Sequence, residues 1–181
     1  MTLPRGFRTE AEAKARYTRE QLGIADTDIV DIEKLAEAVG VSVISGEKLV
    51  GRKPFEELNV IQDGVFSAAT FDFDDRKIIV TNPIASVERT RSDIAHELGH
   101  VFLKHQLSEV RRIGEVPFLT CRPEEEEQAT AFGSILLLPR DTLKAEIARG
   151  NDTPQKLAKA QKVSVEMARF RLNTSGVLKR N

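Results

Sequence analysis

The run His96-Glu97-Leu98-Gly99-His100 places two imidazoles and a carboxylate within five residues. An α-helix turns 100° per residue, so side chains at i and i+4 project side by side. His96 and His100 can therefore offer two nitrogens to one metal ion. Glu97, beside them, has the chemistry of a general base toward a water activated by that ion. Five residues alone are weak evidence, because a pair of structural histidines has the same spelling.

The neighbouring residues favour the metal. Ile94, Leu98, Val101 and Phe102 fall at i, i+4, i+7 and i+8 and form one apolar stripe. The two histidines project to the opposite side. Gly99 is a poor helix former, and its expected use is close approach by another element. If the helix continues, His105 projects onto the apolar stripe, away from His96 and His100. It then reads as a helix C-terminal residue with a favoured cationic tip and as a poor third ligand. The chain has three histidines, so a third protein ligand falls to a carboxylate.

Carboxylates occur in "CRPEEEEQATAFGSILLLPRD", residues 121–141, which reads as a helix opening at Pro123. Acidic residues suit the first turn of any helix, which accounts for most of the run. Ala129, Phe132 and Leu136 mark the core face, with Glu125 near it. Glu126 shares another face with Thr130, Gly133 and Leu137, whose small members admit close approach to the histidine helix. Thr130, one turn on, is placed to hydrogen-bond a metal ligand. This geometry selects Glu126, with Glu127 as the alternative.

Together, "RSDIAHELGHVFLKH" and "EEQATAFGSILLLP" resemble the ImmA/IrrE family of intracellular metallopeptidases. The upstream "DIEKLAEAVGVSV" and "IIVTNP" fit as well, so the resemblance runs over residues 28–173. It implies a zinc-dependent endopeptidase with Zn²⁺ held by His96, His100 and Glu126, and with Glu97 as the catalytic base. It also implies a substrate: a helix-turn-helix transcriptional repressor, whose cleavage derepresses mobile-element or stress-response genes. Thr130 stands where the resemblance leads one to expect Asn or Asp. Gly133 replaces alanine, read as a mild change, and His105 falls one position later than is common. The alternative is a non-catalytic, zinc-containing regulator that binds a repressor or DNA.

These groups need a scaffold. Residues 8–22 read as a surface helix, and 28–46 as a short helix ending near Gly40 followed by a strand. Residues 49–57 are loop-like, and 58–83 form a β section with a hairpin about Asp74-Asp75. Helices follow over 86–104, 123–138, 140–149, 154–161 and 164–173. The class is α+β: a small antiparallel or mixed β-sheet packed against a zincin-like active-site helix and further helices, with a C-terminal helical pair. Two units are expected. Residues 1–139 form the metallopeptidase core with its N-terminal helix, and 140–181 form a basic, helix-turn-helix-like subdomain packed on that core.

Composition bounds the rest. The chain has 181 residues, 40% hydrophobic and 30% charged, with a net charge of −1. That suits a globular domain and excludes a disordered tail or a strongly basic nucleic-acid binder. No apolar run approaches the ~20 residues a bilayer requires, and "MTLPRGFRTEAEAKAR" lacks the apolar core of a signal peptide. The single cysteine, Cys121, rules out an internal disulfide. A cytoplasmic protein without a membrane partner is expected.

Residues 140–181 hold ten Lys/Arg against four Asp/Glu. Within them, 153–173 has the spacing of a helix-turn-helix unit. Direct DNA binding there is the lesser reading, and packing on the core the greater. Cys121, five residues before Glu126, reads either as a redox latch on the metal or as a buried core thiol. Tyr17, the single tyrosine, is remote in sequence and is not assigned to the oxyanion.

Overall fold

The computed structural model describes residues 3–25, 27–61, 66–73, 76–106, 109–113 and 116–178. Along the chain run α1 (Phe7–Gln21), α2 (Ile32–Ala38), β1 (Val41–Ser45), α3 (Glu47–Val50), α4 (Lys53–Ile61), β2 (Ala68–Phe73) and β3 (Arg76–Thr81). Then come α5 (Val87–Leu103), β4 (Glu109–Ile113), β5 (Val116–Thr120), α6 (Pro123–Leu137), α7 (Arg140–Ala148), α8 (Pro154–Gln161) and α9 (Val165–Thr174). The architecture is α+β, with a small mixed sheet packed against helices.

The sheet is ordered β1-β3-β2. Its central strand β3, "RKIIVT", buries Ile79 and Val80. It pairs parallel with β1, from Val41↔Lys77 to Ser45↔Thr81, and antiparallel with β2, from Ala68↔Thr81 to Phe73↔Arg76. β2 and β3 pair antiparallel as expected of the hairpin, whose turn at Asp74-Asp75 lies outside the described residues. β4 and β5 form a separate two-stranded antiparallel sheet that sequence reasoning did not foresee. Residues 49–57 are not a loop, and 58–61 are not strand: α3 ends at Gly51, and α4 covers Lys53–Ile61. Gly51, at φ 76 and ψ 177, takes an extended, positive-φ conformation open to glycine and separates the two helices. Pro54 sits in the first turn of α4, where its missing N–H leaves no helical bond unmade.

α5 opens at Ser86, whose hydroxyl accepts from the Arg89 N–H at 3.2 Å. It packs against β2 and β3 on one side and crosses α6 on the other. Ile94 and Leu98 of α5 meet Phe132, Ile135 and Leu136 of α6 in one buried cluster. At the start of α6, the Glu125 carboxylate accepts from the Arg122 backbone N–H and from its guanidinium, each at 3.0 Å.

The far end of α6 is held by two buried arginines. Arg19 of α1 donates to the Leu136 carbonyl at 3.3 Å, and Arg171 of α9 to the Leu138 carbonyl at 2.9 Å. Arg171 also donates to Glu12 of α1 at 2.7 Å, which offsets the cost of burying its charge. The turn between α8 and α9 lies on α5. The Ser164 N–H donates to the Ser92 hydroxyl at 2.9 Å, and Arg91 Nε to the Lys162 carbonyl at 2.7 Å. Among the described residues, no helix is long and apolar enough to cross a membrane.

Candidate metal centre

The i, i+4 spacing on α5 brings the His96 and His100 rings together, Nε2 to Nε2 at 3.1 Å. α6 delivers Glu126 to the same point. Its Oε2 lies 3.2 Å from His96 Nε2 and 3.5 Å from His100 Nε2. The other carboxylate oxygen, Oε1, is 3.5 Å from the hydroxyl of Thr120 at the end of β5. Of the four consecutive glutamates, Glu126 reaches the histidines; Glu125 is engaged at the Arg122 cap.

The helices approach closely enough for this because each carries a glycine at the crossing. A Cβ built on Gly99 would stand 2.5 Å from the Ala129 carbonyl oxygen. One built on Gly133 would overlap the Ala95 carbonyl. The close approach expected at Gly99 is therefore present. Glycine in place of alanine at 133 is not a mild change: the backbone of α5 fills the space a methyl would need.

The charges answer one another. Burial disfavours the His96 imidazolium, but the Glu126 hydrogen bond and the charges of Glu97, Glu126 and Asp93 outweigh it and raise its pKa above the ordinary value. Burial opposes the Glu126 charge as well, yet the hydrogen bonds and charges of His100 and His96 hold its carboxyl well below the usual range. The outward nitrogens are also engaged. His96 Nδ1 lies 3.2 Å from the Thr130 hydroxyl, and His100 Nδ1 lies 3.1 Å from Nδ1 of His105.

His105 corrects an expectation. α5 stops at Leu103, and Lys104 turns left-handed at φ 57, so the helical extrapolation to residue 105 fails. The ring stands edge-on to His100, with centroids 5.1 Å apart. Burial and then the charge of His100 lower its pKa, so it is not the favoured cation of a helix end.

Thr70 on β2 was not singled out by sequence reasoning. Its hydroxyl donates to Glu97 Oε2 at 2.6 Å. A single threonine in an alternating strand carries no mark of that contact. Cys121 is buried, with its thiol 3.8 Å from the Gln106 carbonyl. Burial, with the charges of Glu126, Glu125 and Glu97, pushes its pKa up to about 11.

The ligand atoms of His96, His100 and Glu126 all lie within 4.8 Å of one another. Two nitrogens and one carboxylate oxygen suit a divalent transition metal. Two ~2.1 Å metal–nitrogen bonds at a tetrahedral angle would set their nitrogens ~3.4 Å apart, near the spacing found. The residues fit: the cluster could coordinate a divalent metal.

A family model for the IrrE N-terminal-like domain, Peptidase_M78, matches residues 57–173, more than half of the chain. The chain belongs to the Peptidase_M78 family. The matched span contains α5 and α6, hence every member of the His/His/Glu cluster, and the hairpin strand that carries Thr70. Peptidase_M78 membership and this cluster together make the protein a metal-dependent hydrolase. Comparison with curated proteins and with solved structures gave no match.

Proposed function

We propose that the chain is a zinc-dependent endopeptidase that cleaves a helix-turn-helix repressor in the cytoplasm. The observation that carries the enzymatic reading is the convergence of Glu126 Oε2 on both histidine Nε2 atoms, next to a Glu97 held by Thr70. A divalent cation held by His96, His100 and Glu126 would supply Lewis acidity toward the scissile carbonyl and toward an attacking water. Glu97 Oε2 is occupied by the Thr70 hydroxyl. Glu97, steadied by that bond, is the base that takes the proton of the attacking water and returns it to the leaving amine.

Among the described residues, no strand pairs with the outer edge of β2. An extended substrate segment laid along that edge would run next to Thr70 and Glu97. The repressor as substrate rests on the likeness of the paired motifs to the ImmA/IrrE family. Zinc rests on the nitrogen and oxygen donor set. The tie of the α8–α9 turn to Ser92 and Arg91 supports core packing over DNA reading for 153–173.

The test is Glu97→Gln. Zinc content should match wild type, while cleavage of a purified helix-turn-helix repressor should fall by 10²-fold or more, roughly the contribution of a general base. A variant that cuts as fast as wild type would leave zinc a structural element, and the non-catalytic regulator would be the better reading.

A further inference from the structure

A histidine that ligates through Nε2 must carry its proton on Nδ1, and that proton needs an acceptor. For His96 the acceptor is the Thr130 hydroxyl. For His100 the group in that place is a third imidazole, with His105 Nδ1 at 3.1 Å. Two ring nitrogens facing each other at this distance share one proton. If His100 Nδ1 holds it, His105 Nδ1 accepts, and the His105 proton must sit on Nε2. That nitrogen meets the Gln128 side-chain carbonyl at 3.4 Å, an acceptor. The three residues thus form one consistent relay of donors and acceptors: His100 to His105 to Gln128. His105 reaches its place through the left-handed turn at Lys104.

We propose that His105 is a positioning residue for the metal: as a neutral acceptor, oriented by Gln128, it fixes the tautomer and ring angle of His100 so that the Nε2 lone pair faces the ion. The proposal rests on the reading that His96, His100 and Glu126 hold a divalent cation. It makes His105 more than packing, although it is not itself a ligand. Loss of such an outer partner weakens metal binding by roughly 10- to 100-fold.

The experiment uses the full chain, stripped of metal and titrated with Zn²⁺ against a chromophoric chelator. His105→Leu keeps bulk but offers no acceptor, and should bind Zn²⁺ roughly 10- to 100-fold more weakly. His105→Gln restores an acceptor and should recover most of that loss. Gln128→Leu leaves all three rings in place and should show a smaller loss, which keeps the proposal testable if His105→Leu does not fold. With Co²⁺ in the site, the visible d–d band of His105→Leu should shift while that of His105→Gln stays near wild type. Wild-type Zn²⁺ affinity in the folded variants overturns the proposal, and so does a His105→Gln as weak as His105→Leu. His100→Ala separates the two levels. If it binds Zn²⁺ as wild type does, the metal centre itself is wrong. If it loses Zn²⁺ while His105→Leu does not, only the role of His105 falls.

Discussion

The Thr70 hydroxyl on β2 and the Glu97 carboxylate on α5 are joined by a 2.6 Å hydrogen bond across the sheet–helix boundary. It aims a carboxylate that would otherwise rotate freely about its terminal bond. Thr70→Val keeps the branched shape and removes the donor. Peptide cleavage at saturating substrate should fall roughly 10- to 100-fold, the order of loss a misplaced catalytic group brings. Metal content should not change. Thr70→Ser, which keeps the hydroxyl, should recover most of the rate.

The crossing of α5 and α6 predicts the cost of two methyl groups. Alanine in place of a mid-helix glycine ordinarily gains up to ~1 kcal/mol in helix propensity. Here the added carbon meets backbone, the Ala129 carbonyl for Gly99→Ala and the Ala95 carbonyl for Gly133→Ala. Overpacking of this kind costs ~1–3 kcal/mol, and backbone cannot swing aside as a side chain can. Both variants should lower the urea midpoint, Gly133→Ala more. Both should also weaken Zn²⁺ binding, because the crossing sets the reach of Glu126.

Glu125 gives a pH-dependent contribution to stability. Its side-chain hydrogen bond with Arg122, and then the Arg122 backbone N–H, lower its pKa. A carboxyl with a depressed folded pKa stabilises fully above its unfolded value, near ~4.3, and loses that contribution as pH falls through the folded value. Glu125→Gln, which keeps an acceptor for the Arg122 N–H and loses only the charge, should therefore cost about 0.5 kcal/mol at pH 7, the order of a partly exposed ion pair. The gap between the two proteins should close as denaturation is repeated toward pH 3.

Cys121 should be slow to react. Its thiol, raised to about 11, holds almost no thiolate at neutral pH. Iodoacetamide at pH 8 should label the native chain far more slowly than the urea-unfolded chain. The native rate should climb as pH approaches 11, for as long as the fold persists. Rapid native labelling at pH 7 would revive the latch reading.

Much of the site was legible because it is helical. Fixed turn per residue let His96, His100, Thr130 and the tight spot at Gly99 be placed from spacing, and narrowed the carboxylate to Glu126 or Glu127, a choice that the resemblance to the ImmA/IrrE motif decided. The long helices α5 and α6 could be read from their apolar stripes. The failures came where the period ended. His105 was extrapolated along a helix that stops at Lys104, a non-glycine residue in the left-handed region that gives no advance notice. Residues 49–57 looked loop-like because Gly51 and Pro54 resemble breakers, and 58–61 were joined to the β section because Val60 and Ile61 are β-branched, although in α4 they stand 88% and 81% exposed. β5 carries Pro117, a residue that a strand ordinarily disfavours, so its sequence gives a weak strand signal. Thr70 and Thr120 act across tertiary contacts, for which one sequence holds no periodic trace.

The two arginines at the end of α6 carry a consequence for the molecule as a mechanical object. The helix that presents Glu126 is moored at its opposite end by α1 and by α9, the first and last described helices, through single guanidiniums on neighbouring carbonyls. α1 lies outside the residues that match the family, yet it is part of that mooring. Pulling either end of the chain therefore loads the same turn of α6. Glu126 sits at the other end of that rod, so slack introduced at either anchor would reach the candidate cluster as tilt.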